Sequence, residues 1–347
     1  MNSKKWIQIV FISSFFSVVT VISLNFIIDP LWLYSYSHGF NCLQSGFDER
    51  LQKTIYLKNK LNISEIDTLL FGSSRVTYYN QEKIKNLKVF NYSFSNGTPD
   101  EFITYANYAK SIKKDKFDNI IVGLDFIGPA IDNNKQNQQN IKIIDEVNSK
   151  YQLIFKYISL DMLRHSIVNI KRSISGTTGP RSYNRMNIAK VDKVKESNVA
   201  SITKNSLKTL YSDLVFNDSY YTNLKKFQES NKGTNFIVFT TPLSDPILKK
   251  IYTNEKLKRE YIKWVKNITL IFDKIFFFTL PSDLSKDYNK KSIDGSHYYP
   301  ETGELILNII LQKERINNYG VILSKDNINE YLKKLNEIDS RTLSIAK

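Results

Sequence analysis

The chain has 347 residues, of which 41% are hydrophobic and 13% aromatic, so it can form a sizeable core and is not globally disordered. Its formal net charge is +15, but the basic residues are scattered and form no arginine-rich block, so no nucleic-acid partner is expected. The single cysteine, Cys42, excludes an intramolecular disulfide, and 3 histidines are too few for a multi-histidine metal centre, so we expect neither a metal nor a cofactor.

The N-terminal region contains an uncharged stretch from Trp6 to Ile28. At 1.5 Å per residue, it is long enough to cross a hydrocarbon layer of about 30 Å. Lys4 and Lys5 before it, and Asp29 after it, favour residues 1–5 in the cytoplasm. We therefore predict a single-pass signal anchor that contacts the lipid bilayer through residues 6–28 in the inner or plasma membrane. The remaining chain would be extracytoplasmic, in the periplasm. A cleaved signal peptide is the alternative.

Residues 29–64 are predicted to form a membrane-proximal collar. Trp32, Tyr34 and Tyr36 are expected at interfacial depth, because aromatic rings are enriched there. Arg50 and Lys53 are interpreted as solvated helix charges, and the alternative is that they bind an anionic group of a substrate.

Short apolar runs bounded by Gly, Pro, Asp or Asn then alternate with helix-like segments. Such runs are typical of strands buried on both faces, and they occur at 67–72, 88–94, 118–126, 234–242 and 273–281. The helix-like spacers include 99–114 and 219–230. This alternation predicts an α/β fold with a doubly wound parallel sheet over residues 65–320, whose active crevice lies beyond the carboxyl ends of the strands.

Residues 128–215 interrupt this alternation. They contain a polar tract followed by an apolar, helix-like patch, and we predict a helical insertion that acts as a lid or a substrate wall. His165 lies in the apolar patch and is interpreted as a packed structural histidine. Residues 321–347 are predicted to form a helical tail.

Candidate chemistry begins at Gly72-Ser73-Ser74, where the first predicted strand ends. A serine at a sharp strand-to-helix turn becomes a nucleophile when a base is in reach, although such a turn can also be inert. Asp294 and His297 lie between the last predicted strand and a final amphipathic helix, and an Asp-x-x-His loop can hold the imidazole tautomer that accepts a serine proton. The alternative is a capping aspartate beside an incidental surface histidine.

On these residues, the stretch from about 65 to 315 resembles the SGNH (GDSL-like) hydrolase superfamily. It is similar to a membrane-anchored bacterial branch that includes relatives of polysaccharide O-acetyltransferases. The resemblance implies a flavodoxin-like three-layer fold, with Ser74 as the nucleophile and Asp294 and His297 as its partners. The second block of the family usually reads N-x-G-x-x-G. Asn91 matches its asparagine, whereas Asn96 occupies the position of its last glycine and Gly97 lies one residue late.

The third block departs further from the pattern, because Leu124 occupies the position of an oxyanion-binding asparagine and Asp125 follows it. An ionised aspartate cannot donate a hydrogen bond, and losing one oxyanion donor costs about 3–4 kcal/mol. Asn96 and Gly97 are the candidates for holding the oxyanion. Arg75 is a candidate for substrate binding, with a structural salt bridge as its alternative.

The resemblance implies an acyltransferase or esterase that acts on O-acyl groups of a cell-envelope glycan, with a membrane-bound acyl-donor protein as a further partner. The residues leave a second hypothesis open, a catalytically inactive glycan-binding or assembly component that retains the fold. The sequence does not separate transfer from hydrolysis, since both pass through the same acyl-enzyme.

Overall fold

The computed structural model describes residues 3–130, 136–179, 181–211, 214–311 and 315–337. The chain divides into two compact units, of which the first comprises Met1–Asn62 with Gln138–Asp192 and the second comprises Ile63–Asn137 with Lys193–Lys347. Residues 131–135 of the predicted insertion and residues 338–347 of the predicted tail lie outside the described residues.

The elements are numbered in chain order. The strands are β1 (Gln44–Ser45), β2 (Thr68–Phe71), β3 (Val89–Asn91), β4 (Asn119–Leu124), β5 (Ser182–Tyr183), β6 (Ala189–Lys190), β7 (Asn235–Thr240), β8 (Ile275–Phe277) and β9 (Val321–Leu323). The helices are α1 (Ser3–Ile28), α2 (Glu49–Asn59), α3 (Pro99–Lys113), α4 (Gln136–Asn148), α5 (Lys150–Lys156), α6 (Leu160–Ser175), α7 (Glu196–Thr209), α8 (Ser219–Glu229), α9 (Asp245–Thr253), α10 (Glu255–Ile271), α11 (Asp283–Lys286), α12 (Tyr288–Lys291), α13 (Pro300–Ile310) and α14 (Ile328–Glu337).

The second unit is built on a six-stranded sheet with the order β3-β2-β4-β7-β8-β9. Each of the five apolar runs forms a strand, and these five strands are parallel, as the sequence predicts. The α/β class is therefore confirmed. The prediction of a wholly parallel sheet is wrong at β9, which pairs antiparallel with β8 and lies inside the predicted helical tail.

A hydrophobic core determines where α13 lies against this sheet. Apolar side chains of α13 pack with sheet residues such as Leu70, Ile121 and Phe239. Because α13 begins at Pro300, burial of this helix also fixes the loop that immediately precedes it.

The first unit contains α1, which is the one helix among the described residues long and apolar enough to cross a membrane. Its antiparallel strands β1, β5 and β6 join residues from both parts of the unit, and α6 packs against α1. Most of the predicted insertion thus clusters with the N-terminal residues, whereas α7 belongs to the second unit. The lid or wall role of the insertion remains a prediction.

Two collar side chains are buried, and one of them differs from its prediction. Trp32 is only 1% exposed and packs against Tyr56 and Tyr183, because its ring fills the interior of the first unit. Lys53 is fully buried, with its ammonium 5.0 Å from the ring centre of Tyr183, so its interpretation as a solvated charge is wrong. His165 stacks on the ring of Phe47 at 3.7 Å, in agreement with a packed structural histidine.

Candidate active site

The turn after β2 is too tight for a side chain at its first residue. A Cβ atom at Gly72 would lie 2.3 Å from Cγ2 of Val76, and one at Gly123 on the neighbouring strand would lie 2.5 Å from the same methyl group. The chain then enters a short 3₁₀ turn at Val76–Tyr78, which is closed by a hydrogen bond from Oγ1 of Thr77 to the carbonyl of Ser74 at 2.6 Å. These contacts place Ser74 at the carboxyl end of a buried parallel strand.

Asn91 holds this turn from the adjacent strand. Its carboxamide nitrogen donates to the carbonyls of Val76 at 3.0 Å and Tyr79 at 2.9 Å, while its oxygen accepts from the amide of Ser93 at 3.0 Å. Asn91 is almost fully buried, so these bonds are not exchanged with water. The residue that matches the second family block therefore positions the turn that carries Ser74.

The partner loop between α12 and α13 is a small closed turn. The amide of Ile293 donates to the carbonyl of His297 at 2.8 Å, and Gly295 donates to Oγ of Ser292 at 2.9 Å. Gly295 has φ +81°, and a Cβ atom there would lie 2.5 Å from Oγ of Ser244. A glycine is therefore needed where the loop reverses.

The two loops bring the three predicted catalytic residues together. Oγ of Ser74 lies 2.8 Å from Nε2 of His297, and Nδ1 of His297 lies 2.8 Å from Oδ2 of Asp294. The other oxygen of Asp294 accepts from the backbone amide of His297 at 2.8 Å. A hydroxyl, an imidazole and a carboxylate in this chain of hydrogen bonds can transfer the serine proton to the histidine.

The electrostatics of Asp294 favour its ionised form. Burial raises the pKa of this carboxyl, but His297 and the backbone amides of His297 and Ser296 outweigh burial, and the pKa lies well below its usual range. Asp294 and His297 are respectively 16% and 21% exposed, so the pair is shielded but still accessible from the surface.

Arg75 forms a buried salt bridge rather than pointing at an open site. Its Nη1 donates to Oδ2 of Asp125 at 3.0 Å, and Oγ1 of Thr241 donates to the other oxygen of Asp125 at 2.6 Å. Burial disfavours the charged guanidinium, but the carboxylate of Asp125 outweighs it and raises the pKa of Arg75. The structural alternative for Arg75 thus has direct support, and Asp125 acts as its counter-ion.

The Phe94–Gly97 loop adjoins the nucleophile turn. The amide of Phe94 donates to the carbonyl of Gly72 at 3.3 Å, and a Cβ atom at Gly97 would lie 2.6 Å from the same oxygen. The amide of Gly97 is engaged, since it donates to the carbonyl of Phe94 at 3.0 Å. Asn96 is exposed with φ 53°, and no hydrogen bond joins it to another described residue.

Two site contacts were not anticipated from the sequence, namely the pairing of Asp125 with Arg75 and the support of Asp125 by Thr241. A signal was nevertheless present. Asp125 directly follows β4 and Thr241 directly follows β7, and carboxyl ends of neighbouring parallel strands lie at one edge of a sheet.

Comparison with known proteins does not assign the chain to a family. No protein-family model and no curated protein matches it. A solved structure from Streptococcus pneumonia, provisionally described as a platelet activating factor, aligns with 76% of this chain and 90% of its own length. The aligned residues are 10% identical and the TM-score is 0.33. A likeness this distant supports no functional conclusion.

Proposed function

We propose that this chain is a membrane-anchored serine acyltransferase or esterase of the SGNH type, acting outside the cytoplasm on O-acyl groups of cell-envelope polysaccharide. The observation that carries the proposal is the hydrogen-bonded series of Ser74, His297 and Asp294 at the end of a parallel strand. The parallel strands β3-β2-β4-β7-β8 follow the flavodoxin-like order, and Ser74 follows β2 at the point where that order reverses.

In the first half-reaction, Oγ of Ser74 attacks the carbonyl carbon of an acyl donor while Nε2 of His297 takes the hydroxyl proton. Asp294 accepts a hydrogen bond from Nδ1 and stabilises the imidazolium. The tetrahedral intermediate then collapses, the bond to the donor oxygen breaks, and His297 returns the proton to that oxygen. The products are an acyl-serine and a free alcohol.

In the second half-reaction, a hydroxyl group attacks the acyl-serine after His297 removes its proton. A sugar hydroxyl gives an O-acylated glycan, and water gives a free acid. Ser74 regains its proton from His297 in either case. The membrane helix and the family resemblance favour transfer, with a membrane-bound acyl-donor protein supplying the acyl group.

The oxyanion site requires donors other than those of the usual pattern. The amide of Gly97 is bonded to Phe94, and Asp125 is bonded to Arg75 and Thr241. We assign the role to Asn96, which is exposed beside the nucleophile turn and has no hydrogen bond to another described residue. With one side-chain donor missing, hydrolysis should be about 10²–10³-fold slower than with a complete oxyanion hole.

The same contacts favour one second candidate, a catalytically inactive component that binds or assembles envelope glycan. An engaged Gly97 amide and a neutralised Asp125 are compatible with a site that no longer stabilises an oxyanion. In that case, Ser74→Ala would leave surface acylation and glycan export unchanged in cells, whereas deletion of the gene would alter them.

The decisive experiment is release of p-nitrophenol from p-nitrophenyl acetate by the full-length protein in detergent. Ser74→Ala should lose at least about 10³-fold in turnover, and Asp294→Asn about 10⁴-fold. Ser73→Ala is the matched control, because it removes the hydroxyl of the adjacent serine and leaves Ser74 in place. Oγ of Ser73 accepts a hydrogen bond from the amide of Arg75 at 3.3 Å.

Covalent labelling provides the second measurement. A fluorophosphonate should modify Ser74 in the wild type and in Ser73→Ala, but not in Ser74→Ala, as read by peptide mass spectrometry. Equal background rates for all variants, together with no labelling, would refute the catalytic proposal and support the second candidate.

A further inference from the structure

The fully exposed apolar part of α1 is shorter than the hydrocarbon layer that the helix is predicted to cross. Residues 6–20 are exposed all round, and they span about 22 Å at 1.5 Å per residue. A hydrocarbon core is about 30 Å thick. If the core begins at Trp6, it extends about five residues beyond Thr20, to the level of Asn25, where side chains of the first unit already cover one face of the helix.

Asn25 fixes the insertion at this level. Its carboxamide nitrogen donates to the carbonyl of Tyr157 at 2.7 Å, and its oxygen accepts from Oγ of Ser166 at 2.8 Å. The ring of Tyr157 also packs against Phe26 at 4.7 Å. The carboxamide is fully buried and hydrogen-bonded, which is what a polar group at the edge of a hydrocarbon layer requires.

The segment that Asn25 holds presents apolar side chains to its surroundings. Phe155 is 67% exposed and Leu160 is 73% exposed. Apolar side chains also surround the end of α1 on the collar side, where an open groove of about 410 Å³ is lined by Phe26, Ile27, Tyr34 and Tyr36 together with His38. We define the apolar rim as the exposed or groove-lining residues Phe26, Ile27, Tyr34, Tyr36, Phe40, Tyr151, Ile154, Phe155, Ile158 and Leu160.

We propose that the apolar rim lies in the lipid interface, in the leaflet that the C-terminal end of α1 reaches, and that its occupant is phospholipid. Three observations support this occupant. The rim is continuous with the last two turns of α1, it lies within the depth left uncovered by residues 6–20, and its tyrosines are residues that favour the interface.

Charge near the rim is compatible with anionic headgroups. Lys150, Arg164 and Lys171 are exposed on α5 and α6, against one exposed acid on those helices, Asp161. The first unit would thus contact the bilayer through a spanning helix and a surface around its end, rather than being tethered by the helix alone.

Depth-dependent fluorescence quenching tests this proposal on the full-length chain in nanodiscs of phosphatidylcholine and phosphatidylglycerol. In a Cys42→Ser background, Phe155→Cys is labelled with an environment-sensitive fluorophore. Nitroxide lipids labelled near the headgroup should quench it at least about twofold more than the control, since a rim side chain would lie 5–10 Å into the interface. The matched control is Leu270→Cys, which is 65% exposed on α10 of the second unit.

A second label, at Leu160→Cys, tests whether the result is specific to position 155. Nitroxide lipid should quench it to the same extent as the label at 155. Quenching of the labels at 155 and 160 by aqueous iodide, with no quenching by nitroxide lipid, would overturn the proposal. So would labels at 155 and 160 that are shielded from both nitroxide lipid and aqueous iodide, because a second copy of the chain would then cover the rim.

Discussion

The two units differ in which side chains they bury and which they expose. In the second unit, apolar strands such as β2 are fully buried, and the polar groups collect at the strand ends around Ser74. In the first unit, α1 and the apolar rim are exposed, whereas Glu49 and Lys53 are buried. The second unit thus buries its apolar strands and gathers its polar groups at one edge of the sheet. The first is organised for an apolar neighbour, with its charges satisfied inside.

Both units nevertheless bury charged side chains, but the groups around Arg75 differ from those around Lys53. Arg75 and Asp125 form a direct pair with a third hydrogen bond from Thr241. Lys53 lies over an aromatic ring near Glu49, which itself pairs with Arg181 at 2.7 Å. We therefore expect removal of Arg75, which leaves the carboxylate of Asp125 buried without its cation, to cost more than neutralisation of Lys53.

The largest effect on stability should follow disruption of that pair. Arg75→Met leaves Asp125 buried without its cation, and breaking a buried pair costs about 3–5 kcal/mol in unfolding free energy. Thermal or urea unfolding in detergent measures this cost. The double variant Arg75→Met with Asp125→Leu should be more stable than Arg75→Met alone, and a single variant costing under about 1 kcal/mol would contradict a buried, tightly coupled pair.

A smaller effect should come from the turn that presents Ser74. Gly72→Ala places a methyl group 2.3 Å from Cγ2 of Val76, and overpacking of this kind costs about 1–3 kcal/mol. Gly39→Ala is the matched control, because no atom lies within 4 Å of its Cβ position, and it should stay within about 0.5 kcal/mol of the wild type. Val76→Ala in the same chain removes the Cγ2 contact but leaves the Cβ atom of residue 76 at 2.6 Å, so it should restore only part of the stability. A cost of Gly72→Ala no larger than that of Gly39→Ala would contradict the tight turn.

The smallest effect is a pH dependence in the first unit. Burial lowers the pKa of Lys53 to about 7, despite the opposing influence of Glu49. Between that value and its unfolded pKa, the unfolded chain binds more protons, so stability should rise by about 1 kcal/mol from pH 7 to pH 8. Thermal scans at both pH values measure the rise. Lys53→Met should remove it, and an equal rise in the variant would assign it to another group.

The sheet was predictable because its strands carry their own signal. Residues such as Leu69, Leu70 and Phe71 are buried on both faces, and such a run needs no information from distant residues. The strand β9 was missed because it is short, partly exposed and antiparallel, so neither its length nor its composition separates it from the helix that follows.

The candidate site was predictable in part. Ser74, Asp294 and His297 could be selected because each follows a strand or precedes a helix in a recognisable local pattern, and the structure brings them into hydrogen-bonding distance. The pairing of Arg75 with Asp125 depends on the register between two strands, and the bond of the Gly97 amide depends on loop geometry. The strand-end positions of Asp125 and Thr241 are visible in the sequence, but the sequence does not show which side chains pair there, nor does it show the bond of the Gly97 amide.

The first unit is assembled from two segments separated by the first part of the other unit, and Gln44 pairs with Tyr183 across that gap. During synthesis, α1 would therefore leave the ribosome long before Ser166 is made, and Ser166 is the residue whose hydroxyl donates to Asn25. The hydrogen bond between Asn25 and Ser166 cannot form until the later segment has been synthesised. We therefore expect the two segments of the first unit to pack together late in biogenesis. A nascent chain arrested before residue 157 would leave the carboxamide of Asn25 without its partners Tyr157 and Ser166.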